Sequence, residues 1–208
     1  MRPILEILAL APVIPVIVIE RLEDAAPLAD ALCDGGLTVL EVTLRTPAGL
    51  DAIAAMKAAR PDAVVGAGTV NRPALLDAAA AAGADFIVAP GLTEALAHGA
   101  RGHGLPFLPG VATAGDILRG LELDLTTFKF FPAETSGGVP AIKALEGPFP
   151  DLAFCPTGGV TLANAPSYLA LSSVRCVGGS WITPKAALDR RDWDFVRTTA
   201  AEASRLPR

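Results

Sequence analysis

Residues 12–19 of the chain, PVIPVIVI, form an unbroken run of apolar and largely β-branched side chains. Such a run is typical of a parallel-sheet strand buried on both faces, because a half-exposed strand alternates apolar with polar residues. A stretch with helical spacing follows at residues 23–33 and stops at Gly35 and Gly36. The chain therefore begins its fold with a buried strand and then a helix.

The same pairing of a short apolar run with an alanine-rich helical stretch recurs along the chain. The strand candidates are residues 12–19, 37–45, 64–70, 86–91, 107–112, 127–132, 153–160 and 174–181. Helices are predicted over residues 23–33, 47–60, 72–82, 93–102, 114–123, 162–171 and 192–205, with a looser segment at 139–145 and an extra N-terminal helix over 3–10.

This alternation predicts the fold class. Strands and helices that strictly alternate give a parallel sheet with right-handed crossovers, and eight such units close naturally into a barrel. We therefore expect an α/β fold, a single (β/α)8 TIM barrel that forms one domain over residues 1–208. A doubly wound sheet is the structural competitor.

Composition and charge exclude several classes of protein. Of the 208 residues, 51% are hydrophobic and 19% are charged, which is the reverse of a disordered chain. The net charge of −5 argues against a nucleic-acid partner, which would require clustered Lys and Arg. The apolar start is interrupted by Glu6, Pro12 and Pro15, so we expect no membrane span and no signal peptide. The odd count of three cysteines fits a cytoplasmic protein without a disulfide framework.

Charged side chains occur on the face of the second strand that should point into the barrel. Alternation along residues 37–45 directs the apolar side chains toward the helices and directs Glu41, Thr43 and Arg45 inward. Desolvating two charges there is costly, so such groups are either functional or paired. An internal salt bridge or an earlier end of the strand is the alternative interpretation.

Lys129 is the strongest candidate for chemistry. It stands in Phe128-Lys129-Phe130-Phe131, and alternation directs it inward while Phe128 and Phe130 face the other way. Burial favours the uncharged amine of a lysine, which can attack a ketone and form a Schiff base. The alternatives are a lysine that reaches solvent from the strand end, or one half of an ion pair with Glu41 or Glu134.

Two glycine pairs end the seventh and eighth strands, in Thr157-Gly158-Gly159 and Gly178-Gly179-Ser180. In barrels of this type the loops after these two strands commonly hold a phosphate through backbone N–H groups. Each pair taken alone is also compatible with an ordinary turn.

The remaining motifs indicate neither a cofactor nor a metal. Gly66-Ala67-Gly68 lacks the third glycine of a dinucleotide fingerprint, so a nicotinamide cofactor is not expected. His98 and His103 do not have the spacing of zinc ligands, and no acidic cluster has metal-ligand spacing. We expect chemistry that is independent of metals.

The motifs in chain order resemble a known family, the class I 2-keto-3-deoxy-6-phosphogluconate aldolases, many of which also cleave 4-hydroxy-2-oxoglutarate. The resemblance covers residues 15–181 and rests on PVIVI, EVTLRT, GAGTV, APG, KFFPAE, PTGGV and GGSW. It implies a small (β/α) barrel and a homotrimer.

The resemblance also implies roles for individual residues. Lys129 would form the Schiff base, and Glu41 would be the general acid and base. The pyruvyl group and its carboxylate would be bound by Arg45, Thr69, Pro90 and Phe131. The phosphate and hydroxyl groups would be bound by Thr157, Gly158, Gly159, Gly179 and Ser180.

The implied reaction is the cleavage of 2-dehydro-3-deoxy-6-phosphogluconate, a small phosphorylated 2-keto acid, to pyruvate and glyceraldehyde 3-phosphate. Thr157 together with Ser180 favours the gluconate over the galactonate epimer, which is one alternative substrate. A phosphate-binding barrel without aldolase activity, either an isomerase, a thiamine-phosphate-type synthase or a binding module, is another alternative. The choice among the phosphogluconate, phosphogalactonate and hydroxyoxoglutarate substrates stays open.

Overall fold

A computed structural model describes residues 2–207, in which short parallel strands alternate with helices. The strands are β1 Val13–Ile17, β2 Val39–Thr43, β3 Val64–Gly68, β4 Ile87–Val88, β5 Phe107–Leu108, β6 Gly110–Val111, β7 Thr127–Phe130, β8 Ala153–Pro156 and β9 Val177–Gly179. The helices are α1 Ile4–Leu8, α2 Ala25–Asp34, α3 Gly49–Ala59, α4 Pro73–Ala81, α5 Glu94–Gly102, α6 Ala114–Glu122, α7 Gly138–Glu146, α8 Ala165–Leu169, α9 Lys185–Asp189 and α10 Trp193–Ala203. Residues 1 and 208 of the predicted domain lie outside the described residues.

The strands pair in parallel and follow the order of the chain. One sheet has the order β5-β4-β3-β2-β1-β9, and a second has the order β6-β7-β8. Isolated parallel bridges from Phe154 to Val174 and from Thr157 to Gly178 link the end of β8 to the segment that contains β9. The predicted α/β class with a parallel sheet is confirmed, and the predicted N-terminal helix is present as α1.

The structure departs from the predicted elements in three places. The fifth predicted strand is divided into β5 and β6 by Pro109, which has no N–H to donate to a neighbouring strand. The looser segment is helical as α7, and its start at Gly137 and Gly138 has positive φ angles of 102° and 60°. The short helix α9 was not expected.

Two apolar clusters lie on the two faces of the strands. The larger one packs strands against helices, with Val13 and Ile17 of β1 in the same cluster as Leu28 of α2. The smaller one joins the opposite faces of the strands to α1, and its members are Ile7, Leu8, Ile14, Val39, Phe86, Val88, Leu108, Cys155 and Cys176. Strand side chains alternate between these clusters with the period of two that β structure imposes. No helix within residues 2–207 is long and apolar enough to cross a membrane.

Candidate active site

A buried ion pair joins β7 to β2. Lys129 Nζ lies 3.0 Å from Glu41 Oε1 and 3.3 Å from Oε2, and the two residues are only 5% and 3% exposed. Phe128 and Phe130 belong to the cluster beneath the helices, where both rings pack against Phe154. Lys129 therefore points to the inner face, as its position in the strand predicts.

The third strand makes room for the carboxylate of Glu41. A Cβ atom on Gly68 would lie 2.4 Å from Glu41 Oε1, and one on Gly66 would lie 2.4 Å from the ring of Phe86. Only glycine leaves enough space at these two positions. The Gly66-Ala67-Gly68 segment is thus explained by close packing against the ion pair and the inner apolar cluster.

Arg45 lies beyond the end of β2 and turns toward β3. Its Nε atom donates to Thr69 Oγ1 at 3.0 Å, and Thr69 has a positive φ of 61°. Glu41 and Arg45 are the two unlike charges predicted on one face of the second strand. Glu41 forms its ion pair with Lys129 and not with Arg45. Thr43 donates its hydroxyl to the carbonyl of Ile17 at 2.8 Å.

The aromatic ring of Phe131 lies close to both Lys129 and the first glycine pair. The centroid of the Phe131 ring is 5.5 Å from Lys129 Nζ, and a Cβ on Gly158 would lie 3.3 Å from the same ring. Pro90 follows β4, and its carbonyl lies against Gly110 of β6, where a Cβ would approach the oxygen to 2.2 Å.

Residues 157–160 form a loop, called here the 157–160 loop, in which the carbonyl groups of the first three residues accept hydrogen bonds. Three successive carbonyls accept hydrogen bonds: Thr157 from Ala133 N at 2.8 Å, Gly158 from Glu134 N at 3.0 Å and Gly159 from Asn164 Nδ2 at 3.2 Å. Gly158 and Gly159 have positive φ angles of 99° and 80°. Within residues 2–207, the amides of Gly159 and Val160 find no acceptor. A glycine turn with free amides and occupied carbonyls is a suitable site for an anion.

The second glycine pair lies beside this loop. A Cβ on Gly178 would lie 2.2 Å from Thr157 Oγ1, so the two strand ends are in direct contact. Gly179 lies directly against the ring of Trp181, where no Cβ would fit. Ser180, the next residue after Gly179, is exposed. A cavity of about 580 Å³ is lined by Arg45 and Ser180 among others, but by neither Lys129 nor Glu41.

Comparison with known proteins assigns the chain to a family. A family model described as "KDPG and KHG aldolase" matches residues 4–199. The chain belongs to this aldolase family. Its KHG/KDPG aldolase relative in Escherichia coli is 50% identical over 197 residues, which cover 95% of this chain and 92% of the relative. The resemblance seen in the sequence motifs is confirmed.

Solved structures of similar proteins agree with this assignment. A Zymomonas mobilis 2-keto-3-deoxy-6-phosphogluconate aldolase with 3-phosphoglycerate has a TM-score of 0.93 at 51% identity, with 98% of this chain and 95% of that chain covered. A Legionella pneumophila KDPG aldolase, with pyruvate captured as a covalent carbinolamine, has a TM-score of 0.94 at 45% identity, with 96% and 97% covered.

A contact between α8 and the segment after β7 has no signal in the sequence of this aldolase-family chain. The hydroxyl of Tyr168, a residue only 1% exposed, donates to the carboxylate of Glu134. Burial raises the pKa of the Tyr168 phenol, and the neighbouring carboxylate raises it further, so the hydroxyl remains a donor at neutral pH. Lys129 forms its ion pair with Glu41 and not with Glu134.

Among residues 2–207, no group of three or more His, Cys, Asp or Glu side chains lies close enough together to hold a metal ion. Cys33, Cys155 and Cys176 have buried side chains, and burial raises the pKa of the Cys33 thiol to about 11.

Proposed function

We propose that this chain is a Schiff-base aldolase that cleaves 2-dehydro-3-deoxy-6-phosphogluconate to pyruvate and glyceraldehyde 3-phosphate. The observation that carries the proposal is the buried pair of Lys129 and Glu41, 3.0 Å apart on the inner face of the strands. The substrate is supported by the relatives, which include the Zymomonas mobilis 2-keto-3-deoxy-6-phosphogluconate aldolase. The carbinolamine in the Legionella protein supports a covalent route through a lysine.

The first step requires an uncharged amine. A proton that passes from Lys129 Nζ to Glu41 Oε1 leaves a neutral amine and a neutral acid, and a buried site favours neutral groups over separated charges. The amine then adds to the C2 carbonyl of the substrate and gives a carbinolamine. Glu41 donates a proton to its hydroxyl, water leaves, and an iminium forms.

Carbon–carbon cleavage uses the same two residues. The carboxylate of Glu41 takes the proton of the C4 hydroxyl, the C3–C4 bond breaks, and its electron pair neutralises the iminium as an enamine. Glyceraldehyde 3-phosphate is released as the aldehyde. Protonation of the enamine at C3 and addition of water at C2 then release pyruvate and restore the amine of Lys129.

Two groups of residues hold the ends of the substrate in this proposal. Arg45 is fixed through Nε by Thr69, and its other guanidinium N–H groups suit a bidentate contact with the C1 carboxylate. Phe131 and Pro90 would flank the pyruvyl group. The phosphate would bind the free amides of the 157–160 loop together with the segment at Gly179 and Ser180.

The proposal includes a preference among substrates. Thr157 and Ser180 favour the phosphogluconate over the phosphogalactonate epimer, and cleavage of 4-hydroxy-2-oxoglutarate is expected as a weaker second activity because that substrate has no phosphate. Comparing kcat/KM for the three substrates tests this order. A higher kcat/KM for the galactonate epimer would reverse it.

Trapping the covalent intermediate tests the mechanism directly. Incubation with pyruvate followed by borohydride reduction should leave one carboxyethyl group, the reduced form of the pyruvate imine, on the peptide that contains Lys129, as mapped by mass spectrometry. Peptides with the exposed Lys143 and Lys185 are the internal controls and should stay unmodified. An isomerase or a binding module with the same fold would give no adduct at Lys129.

The proposal extends to the complete fold and its assembly. We propose that residues 1–208 form one closed eight-stranded barrel domain, supported by the two bridges between β8 and the β9 segment and by the pairing of β9 with β1. Family resemblance supports a cytoplasmic homotrimer, and Leu118 of α6, at 54% exposed, is one candidate contact. Analytical ultracentrifugation should give three times the mass of one chain.

A further inference from the structure

Glu134 contacts the 157–160 loop through both its backbone and its side chain. Its amide donates to the carbonyl of Gly158 at 3.0 Å. Its Cβ and Cγ atoms lie against Gly159, where a Cβ would approach them to 2.7 and 2.6 Å. Glu134, an exposed residue, therefore contacts both glycines of the loop.

The Tyr168 hydroxyl fixes the position of the Glu134 carboxylate. It donates to Glu134 Oε1 from a side chain that is 1% exposed, and it lies close to Gly138, where a Cβ would be 3.3 Å from the oxygen. A buried ring has little rotational freedom, so its hydroxyl holds the carboxylate at one point. A hydrogen bond to a charged group is stronger than one between neutral groups.

We propose that Tyr168 and Glu134 are positioning residues that preset the 157–160 loop for the phosphate of the substrate. Tyr168 holds the carboxylate of Glu134, the side chain and amide of Glu134 hold Gly158 and Gly159, and the free amides of Gly159 and Val160 are thereby kept in place. The inference rests on the proposed function, because it assigns the 157–160 loop to the phosphate group.

This role predicts an effect that depends on the substrate. A preset loop lowers the cost of ordering on binding, and only a substrate with a phosphate gains from it. Neither residue contacts Lys129 or Glu41 in the structure, so the steps at the Schiff base should not change. A merely structural role would instead affect phosphorylated and unphosphorylated substrates equally.

The test uses steady-state kinetics of Tyr168→Phe, which keeps the ring and removes the hydroxyl. We expect KM for 2-dehydro-3-deoxy-6-phosphogluconate to rise about tenfold with kcat nearly unchanged, the size of one lost hydrogen bond to a charged group. Both constants for 4-hydroxy-2-oxoglutarate should stay at the wild-type values. Inhibition by inorganic phosphate should weaken by a similar factor.

Two variants of Glu134 distinguish the positioning effect from a folding defect of Tyr168→Phe. Glu134→Gln keeps an acceptor oxygen for Tyr168 and the contact with Gly159 but loses the charge, so its KM should rise less than that of Tyr168→Phe. Glu134→Ala removes both contacts from an exposed position and should raise KM at least as much as Tyr168→Phe. Adding Tyr168→Phe to Glu134→Ala should produce no further increase, because the hydroxyl has already lost its partner.

The outcomes separate the inference from the proposed function. An unchanged KM for the phosphorylated substrate in Tyr168→Phe and Glu134→Ala would overturn the positioning role, as would an equal change for both substrates. A wild-type protein that forms no borohydride adduct at Lys129 would instead overturn the proposed function itself.

Discussion

The Glu41–Lys129 pair and the 157–160 loop serve opposite ends of the proposed substrate by different means. The pair is made of two charged side chains, both at most 5% exposed, that face each other across two strands. The loop offers backbone amides, and its first three carbonyls accept hydrogen bonds from neighbouring segments. One end of the site therefore depends on the identity of two side chains, and the other depends on the conformation of the backbone.

This difference decides how each region should respond to substitution. Exchange of a side chain in the pair removes a chemical step, so kcat should fall by orders of magnitude. Distortion of the loop removes binding energy that is present before and during the reaction, so KM should rise while kcat changes little.

The variant Lys129→Arg should have the largest effect. Arginine keeps the charge that pairs with Glu41, but it cannot form an imine with a ketone. We expect kcat to fall by about three orders of magnitude or more, measured as pyruvate release. The matched control is Lys143→Arg on the exposed face of α7, which should have wild-type kinetics. Substantial cleavage by Lys129→Arg would show that another group is the nucleophile.

The variant Glu41→Gln tests the partner of the lysine. Glutamine keeps the size of the side chain but cannot accept the proton from the C4 hydroxyl. We expect kcat to fall by about a hundredfold to ten-thousandfold, the usual range for a general acid or base. Single-turnover measurements of cleavage with excess enzyme provide the check. If kcat fell less than threefold, the proton would have to pass to a different group.

The inward direction of the two side chains of the pair was largely predictable from sequence because β structure has a period of two. Once residues 127–132 are taken as a strand, the direction of Lys129 follows from its neighbours Phe128 and Phe130. Glu41 follows in the same way from residues 37–45. The division of the fifth strand at Pro109 could also have been anticipated, since proline has no N–H.

The support of the 157–160 loop could not be predicted in this way. Tyr168 and Glu134 are 34 residues apart, and their hydrogen bond joins a short helix to a loop. No local pattern connects them, because the contact arises only when the ends of β7 and β8 are brought together by the fold. The glycines themselves were visible in the sequence, but the residues that hold them were not.

The variant Gly159→Ala tests the loop itself. The new Cβ would meet the side chain of Glu134 at 2.6 Å from a backbone with φ of 80°. We expect KM for the phosphorylated substrate to rise about tenfold, with little change in KM for 4-hydroxy-2-oxoglutarate. The measurement is steady-state kinetics with the two substrates.

Gly83→Ala is the matched control for this variant. Gly83 has a similar φ of 83°, but a Cβ there meets no atom within 4 Å. It should therefore show only the cost of the strained backbone, about 1 kcal/mol in the free energy of unfolding, with unchanged kinetics. If Gly83→Ala changed KM as much as Gly159→Ala, strain alone would explain both effects.

The smallest effect is expected where neither the pair nor the 157–160 loop is involved. Asp116 closes the capping box at the start of α6, where its carboxylate accepts hydrogen bonds from the Thr113 hydroxyl and from the amides of Ala112 and Thr113. Burial by itself would raise the pKa of Asp116, but these hydrogen bonds outweigh burial and hold the pKa below its usual range.

A carboxyl whose pKa is lower in the folded state stabilises the fold above its unfolded pKa of about 3.9, and loses that contribution as the pH falls through the lower folded value. Asp116→Asn should therefore reduce the free energy of unfolding by about 1 kcal/mol at pH 7, and the difference from wild type should be smaller at about pH 3, which lies below the unfolded pKa. Urea unfolding at both pH values measures this, with the exposed Asp151→Asn as the control that should show no such difference. Because the cap holds neither end of the substrate, kcat and KM should stay at wild-type values, and a difference that persisted undiminished at low pH would mean that the charge of Asp116 is not what stabilises the helix.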